Sequence, residues 1–177
     1  MSASAPSRGF SRTMPSLQET PLSPVGWATL GGLGLGAGAL LVSVPWVCLG
    51  VAGLFGVACL AGRSQLRRLH ASRPEGSICS FARTFDRRTT DPWVIRAAWD
   101  EVQSYVSLND RPLPLFPDDD LDRDLGIDPE EAEDVATRVA QRAGYDWETT
   151  RFNPFHGAPL TVGTLVQFVN AQPRLVT

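Results

Sequence analysis

The side chains most capable of chemistry in this 177-residue chain are carboxylates crowded between positions 118 and 134: Asp118, Asp119, Asp120, Asp122, Asp124, Asp128, Glu130, Glu131, Glu133 and Asp134. Such a run could ligate a hard cation, share a proton between paired acids, or offer a charged face to a basic partner. Asp120, Asp122, Asp124, Ile127 and Glu131 fall at positions 1, 3, 5, 8 and 12 of an EF-hand loop. Leu125, however, stands at position 6, where the sharp turn needs Gly, and Pro112, Pro114 and Pro117 deny the loop its entering helix. No metal site is assigned; only loose occupancy of the acidic loop by divalent cations stays open. His70 and His156 have no Ser or Cys at a motif spacing. An exposed acidic cluster is no catalytic pair without a pocket that moves one pKa. No catalytic residue, cofactor site or enzymatic activity is expected. Three Cys and two His also exclude a disulfide framework and a zinc site of the usual kind.

The elements that would carry these acids are helices. Asp91-Pro92 starts one, with Val94, Ile95, Ala98, Trp99, Val102, Tyr105 and Val106 along one face. Asp128-Pro129-Glu130-Glu131 starts a second, combining N-cap, first-turn Pro and capping-box Glu, and it runs to Ala143 before Gly144. Thr161 caps a last helix with Val162, Leu165, Val166 and Val169 facing inward. Leu108 to Pro117 contains three Pro and must be irregular, with Leu113, Leu115 and Phe116 covering a core. No period of two is sustained, so the expected fold class is all-α.

Charge divides the chain. All 16 basic residues are Arg; residues 1–90 have a net charge of +6 and residues 91–177 a net charge of −9. The acidic half would repel phosphate backbones, which argues against nucleic-acid binding. From Thr20 to Gly62 there is no charged residue, and from Pro24 nearly every residue is apolar or Gly. As one helix, residues 24–62 would run roughly 58 Å, about twice a bilayer core. Two short spans, 25–43 and 46–62, fit better, broken at Ser43-Val44-Pro45-Trp46 because Pro45 lacks a backbone donor; a single kinked or strongly tilted span is the rival reading. Trp27 and Trp46 would lie at the interfaces. Arg8 and Arg12 precede the spans, and Arg63, Arg67, Arg68 and Arg73 follow them. The positive-inside rule then places both termini in the cytoplasm. Gly32, Gly34, Gly36 and Gly38 have the spacing of close helix–helix contact, and so could join the spans to each other or to a second copy.

A resemblance rests on two motifs. Asp124-Leu125-Gly126-Ile127-Asp128 opens the second helix, and Leu160-Thr161-Val162-Gly163-Thr164-Leu165 opens the last. With the long first loop, residues 78–172 resemble an acyl carrier protein, and more narrowly a bacterial family of carrier-like domains of unknown function. In true carriers the residue after the first motif is the Ser that receives phosphopantetheine. Here it is Pro129, which has no hydroxyl, and no Ser lies between Asn109 and the C-terminus. The resemblance therefore implies a carrier without its prosthetic arm. It also implies docking on basic enzyme surfaces through acids of the second helix, here Glu130, Glu131, Glu133 and Asp134. A solvated helix face explains those acids equally well.

The sequence thus describes a tail at 1–24 that cannot bury enough to fold, a transmembrane hairpin at 25–62, a basic juxtamembrane linker at 63–77 touching anionic headgroups, and a carrier-like helical bundle at 78–177. The expected protein is non-enzymatic, sits in a bacterial inner membrane, and binds the lipid bilayer and a basic surface of a protein partner. The competing expectation is an oligomeric structural subunit driven by its Gly-rich spans.

Overall fold

The structure, a computed structural model, describes residues 10–15, 45–73, 76–108, 111–147 and 150–175. Five α-helices occur among them: α1 (Pro45–Ser72), α2 (Ile78–Arg83), α3 (Pro92–Val106), α4 (Pro129–Ala143) and α5 (Val162–Asn170). The described residues contain isolated bridges but no strand, so the fold class is all-α. The chain divides into two compact units, residues 18–65 on one hand and residues 1–17 with 66–177 on the other.

Each helix of the larger unit starts on a side-chain cap. Ser77 and Ser80 form a reciprocal box ahead of α2. The Asp91 carboxylate accepts from Trp93 N at 2.9 Å, with Pro92 at the first helical position of α3. Asp128 and Glu131 form the box of α4, and Thr161 and Thr164 that of α5. These caps satisfy backbone donors that a helix start otherwise leaves unpaired, each contributing about 1 kcal/mol. Helix α4 stops at Gly144, whose φ of 72° places it in the left-handed region.

The apolar stripes of α3, α4 and α5 close one core. Val94, Val102, Val106, Val135, Val139, Val162, Val166 and Val169 are fully buried, together with Leu113, Leu121 and Ile127 from the long loop between α3 and α4. Fully burying each such side chain contributes about 1.5–3 kcal/mol. Phe81 of α2 completes the core against Phe85 and Trp99, with ring centroids 5.0 and 5.5 Å away. One ionic group enters the α3–α4 seam. Arg142 is only 8% exposed, and it donates to Glu101 Oε1 at 2.7 Å and to Asp100 Oδ2 at 3.0 Å. Its Nε has no hydrogen-bond partner.

The described part of α1 starts at Pro45, the residue that marks the break in the sequence. Leu49–Ser72 is long and apolar enough to cross a membrane by length and composition. Trp46, Leu54, Phe55, Val57 and Leu60 are all exposed. The first expected span, 25–43, lies outside the described residues, and so do Gly32, Gly34, Gly36 and Gly38. The structure therefore describes one such helix and not a hairpin.

The segment assigned to a linker from residue 63 is helical as far as Ser72, and Leu66 and Leu69 pack against the domain core. Their apolar side chains, spaced three apart, find partners there that a linker would lack. Within the tail expected to be unfolded, Ser11–Thr13 form a 3-10 turn and Met14 packs on the core, since one apolar side chain meets a partly covered site.

Replacing Arg142 with Leu should lower the unfolding free energy of the detergent-solubilised chain by about 3 kcal/mol, because the Glu101 carboxylate would stay buried without its closest partner. Pairing Arg142→Leu with Glu101→Leu should recover most of the loss, as measured by urea titration of tryptophan fluorescence.

Candidate functional site

The acids that drew attention in the sequence separate into two groups with different work. Asp119 is buried; its carboxylate accepts from both Arg73 guanidinium nitrogens at 2.8 and 2.9 Å and from Phe116 N at 2.8 Å. Asp120 turns its carboxylate back on the chain, accepting from Asp122 N at 3.1 Å and Arg123 N at 2.9 Å. Asp124 accepts from Asp120 N at 3.0 Å and from Arg123 at 3.2 Å. The would-be calcium loop is thus a turn stapled by its own carboxylates. Among the described residues, no group of three or more His, Cys, Asp or Glu is arranged to hold a metal ion.

The second group lies at the start of α4. Glu131 is the capping residue: its carboxylate accepts from Asp128 N at 3.2 Å, while its own N–H donates to Asp128 at 2.8 Å. Its role is therefore at least partly structural. Glu130, Glu133 and Asp134 are exposed and form no ion pair among the described residues. The other charges of this helix are engaged elsewhere: Arg138 donates to the Tyr105 hydroxyl at 2.8 Å, and Arg142 is buried against Glu101. The first turns of α4 therefore carry unbalanced negative charge, which also complements the positive end of the helix.

Pro129 is exposed at the first position of α4, beside a cavity of about 320 Å³. Ala132, Glu133 and Ala136 of α4 form one wall, and Trp147, Phe155 and Phe168 are among the residues facing them. The rings of Trp147 and Phe168 lie 5.6 Å apart. Glu133 is thus both a surface acid and a rim group of an apolar cleft. His156 lies exposed on the same rim, whereas the His70 ring is 3.2 Å from the Val106 carbonyl. Neither has a nucleophile beside it among these contacts.

Sequence reasoning missed Arg73. Counted with the topogenic Arg residues, it instead points its guanidinium at Asp119, donates to Pro114 O at 2.7 Å and lies 5.1 Å above the Phe116 ring. Arg67 and Arg68 remain exposed.

The Arg123 hydrogen bond, helped by the Asp120 N–H, holds the Asp124 carboxyl below its ordinary pKa of 3.8. The stabilisation it contributes is present above that value and lost as pH falls through the lower, folded-state value. Asp124→Asn should therefore flatten the acid limb of a plot of melting temperature against pH below about pH 4. No protein-family model, no curated protein and no solved structure matches the chain.

Proposed function

We propose that this protein is a non-enzymatic, membrane-anchored helical module that binds a basic surface of a protein partner. The observation that carries this reading is that the exposed Glu130, Glu133 and Asp134 share the first turns of one helix and form no ion pair among the described residues, whereas the carboxylates at 119, 120 and 124 are consumed internally and Asp118 and Asp122 lie exposed in the loop. Unpaired like charges on one short surface steer a basic partner and set its register. The resemblance to acyl carriers supports the same face, because carriers dock through acids of this helix. Pro129 removes the attachment point for phosphopantetheine, so what is kept is recognition and not group transfer.

The bilayer partner rests on α1 and on the uncharged run before it. Leu49–Ser72 has the composition of a span, and the sequence ahead of Pro45 is long enough for a second. With Arg on both flanks, a hairpin in a bacterial inner membrane leaves both termini in the cytoplasm. Tethering then raises the effective concentration of the acidic face toward other membrane proteins.

Photo-crosslinking from α4 in intact membranes should trap a protein partner in a salt-sensitive manner. The triple variant Glu130→Gln, Glu133→Gln, Asp134→Asn should reduce the yield at least tenfold, with Glu131 left in place to keep the cap. Undiminished crosslinking in that variant would remove the reading. Reporter fusions at residues 1 and 177 should both report the cytoplasm; opposite sides would replace the hairpin with a single span.

A further inference from the structure

The domain also carries a cluster of opposite sign that the acidic-face reading does not use. The turn between α2 and α3 presents Arg87 and Arg88, both exposed and without an ion pair among the described residues. Asp86 shapes this turn by accepting from Arg88 N at 2.9 Å, and its carbonyl accepts from Thr90 N at 2.9 Å. The segment after α5 is pinned beside it: Asn170 donates to Thr89 O at 2.9 Å and accepts from Asp91 N at 2.8 Å. Arg174 follows, donating to Asp91 Oδ2 at 3.0 Å and to the Tyr145 hydroxyl at 3.1 Å.

Between these segments lies a cavity of about 350 Å³ with Arg87, Arg88, Thr90, Gln172 and Arg174 in its lining. Its charge balance favours an anion. Three arginines and one aspartate line it, and both oxygens of that carboxylate are occupied, Oδ1 by Trp93 N and Oδ2 by Tyr145 and Arg174. Gln172 supplies an independent observation. It is 5% exposed, and its amide Nε2 has no hydrogen-bond partner. A buried donor left unmatched costs about 1–3 kcal/mol, and a bound acceptor accounts for such a group. Guanidinium forks match the geometry of phosphate oxygens and can engage them in pairs.

We propose that Arg87, Arg88, Arg174 and Gln172 form a phosphate-binding site. The turn supplies two exposed guanidinium groups, Arg174 is held in place by Asp91 and Tyr145, and the Gln172 amide donates from the floor. The ligand is a compact phosphate group, either a free phosphate or the phosphodiester headgroup of an anionic lipid. The site involves none of the acids at the start of α4, and so stands or falls separately from the partner interface.

The test is titration calorimetry of the full chain in uncharged detergent micelles, with two water-soluble probes, inorganic phosphate and glycerophosphoglycerol. Saturable binding of either one is expected, tighter for phosphate if the natural ligand is free and tighter for the diester if it is a lipid headgroup. Arg87→Gln with Arg88→Gln should weaken that binding at least tenfold. Gln172→Leu should weaken it several-fold without lowering the melting temperature, since it removes an unmatched amide. No saturable binding of either probe, or equal affinity in wild type and both variants, would overturn the site.

Discussion

One carboxylate holds the irregular part of the domain in place. Asp119 binds the end of α1 through Arg73, the proline-rich loop through Phe116 N, and the start of α5 through its own carbonyl, which accepts from Val162 N at 2.9 Å. The loop between α3 and α4 has no helical ladder to satisfy its backbone, and ordering each residue costs about 1–2 kcal/mol. A buried charge pair offsets its desolvation only when its remaining hydrogen bonds are made. Asp119 meets that condition. The Gln103 amide does the same for Leu113, donating to its carbonyl at 2.6 Å and accepting from its N–H at 2.9 Å. Gly163 completes the closure: its N–H donates to Pro117 O, and a Cβ there would stand 2.8 Å from that oxygen.

Anchoring this loop determines which acids remain available. Because Asp119, Asp120 and Asp124 are turned inward on Arg73 and on backbone N–H groups, the most cation-like stretch of the sequence is structural. Unbalanced negative charge remains at the exposed Asp118 and Asp122 and at the first turns of α4, where Pro129 and Glu133 border an apolar cleft. A basic partner with one apolar side chain fits that combination better than a metal does. The Arg-rich turn at residues 87 and 88 gives the same domain a second surface of opposite sign. Under the two proposed readings, charge segregated in this way would let a small bundle engage a protein and an anion without one contact competing with the other.

Much of the architecture was legible from local chemistry. The Asp-Pro starts at residues 91 and 128, the Thr161 cap and the Gly144 stop all lie where the sequence places them, because capping is settled by neighbours within four residues. The valine stripes of α3, α4 and α5 were equally plain, since a period of 3.6 needs no knowledge of what it packs against. The extent of α1 was less so. Its Arg residues suggested an exposed linker, whereas Leu66 and Leu69 pack on the domain core and His70 and Arg73 contact residues 36 and 46 positions away.

The sequence by itself therefore determined the helical class, the boundaries of α3, α4 and α5, the absence of a hydroxyl at Pro129 and the length of the uncharged run, all properties of adjacent residues. Only the tertiary structure decided which carboxylates are spent on the fold and which are exposed, that Arg73 is a clamp, and that Arg87, Arg88, Arg174 and Gln172 share one cavity. The reason is physical: a charge's role depends on the partners and solvent around it, and the chain brings those partners together only when the core closes.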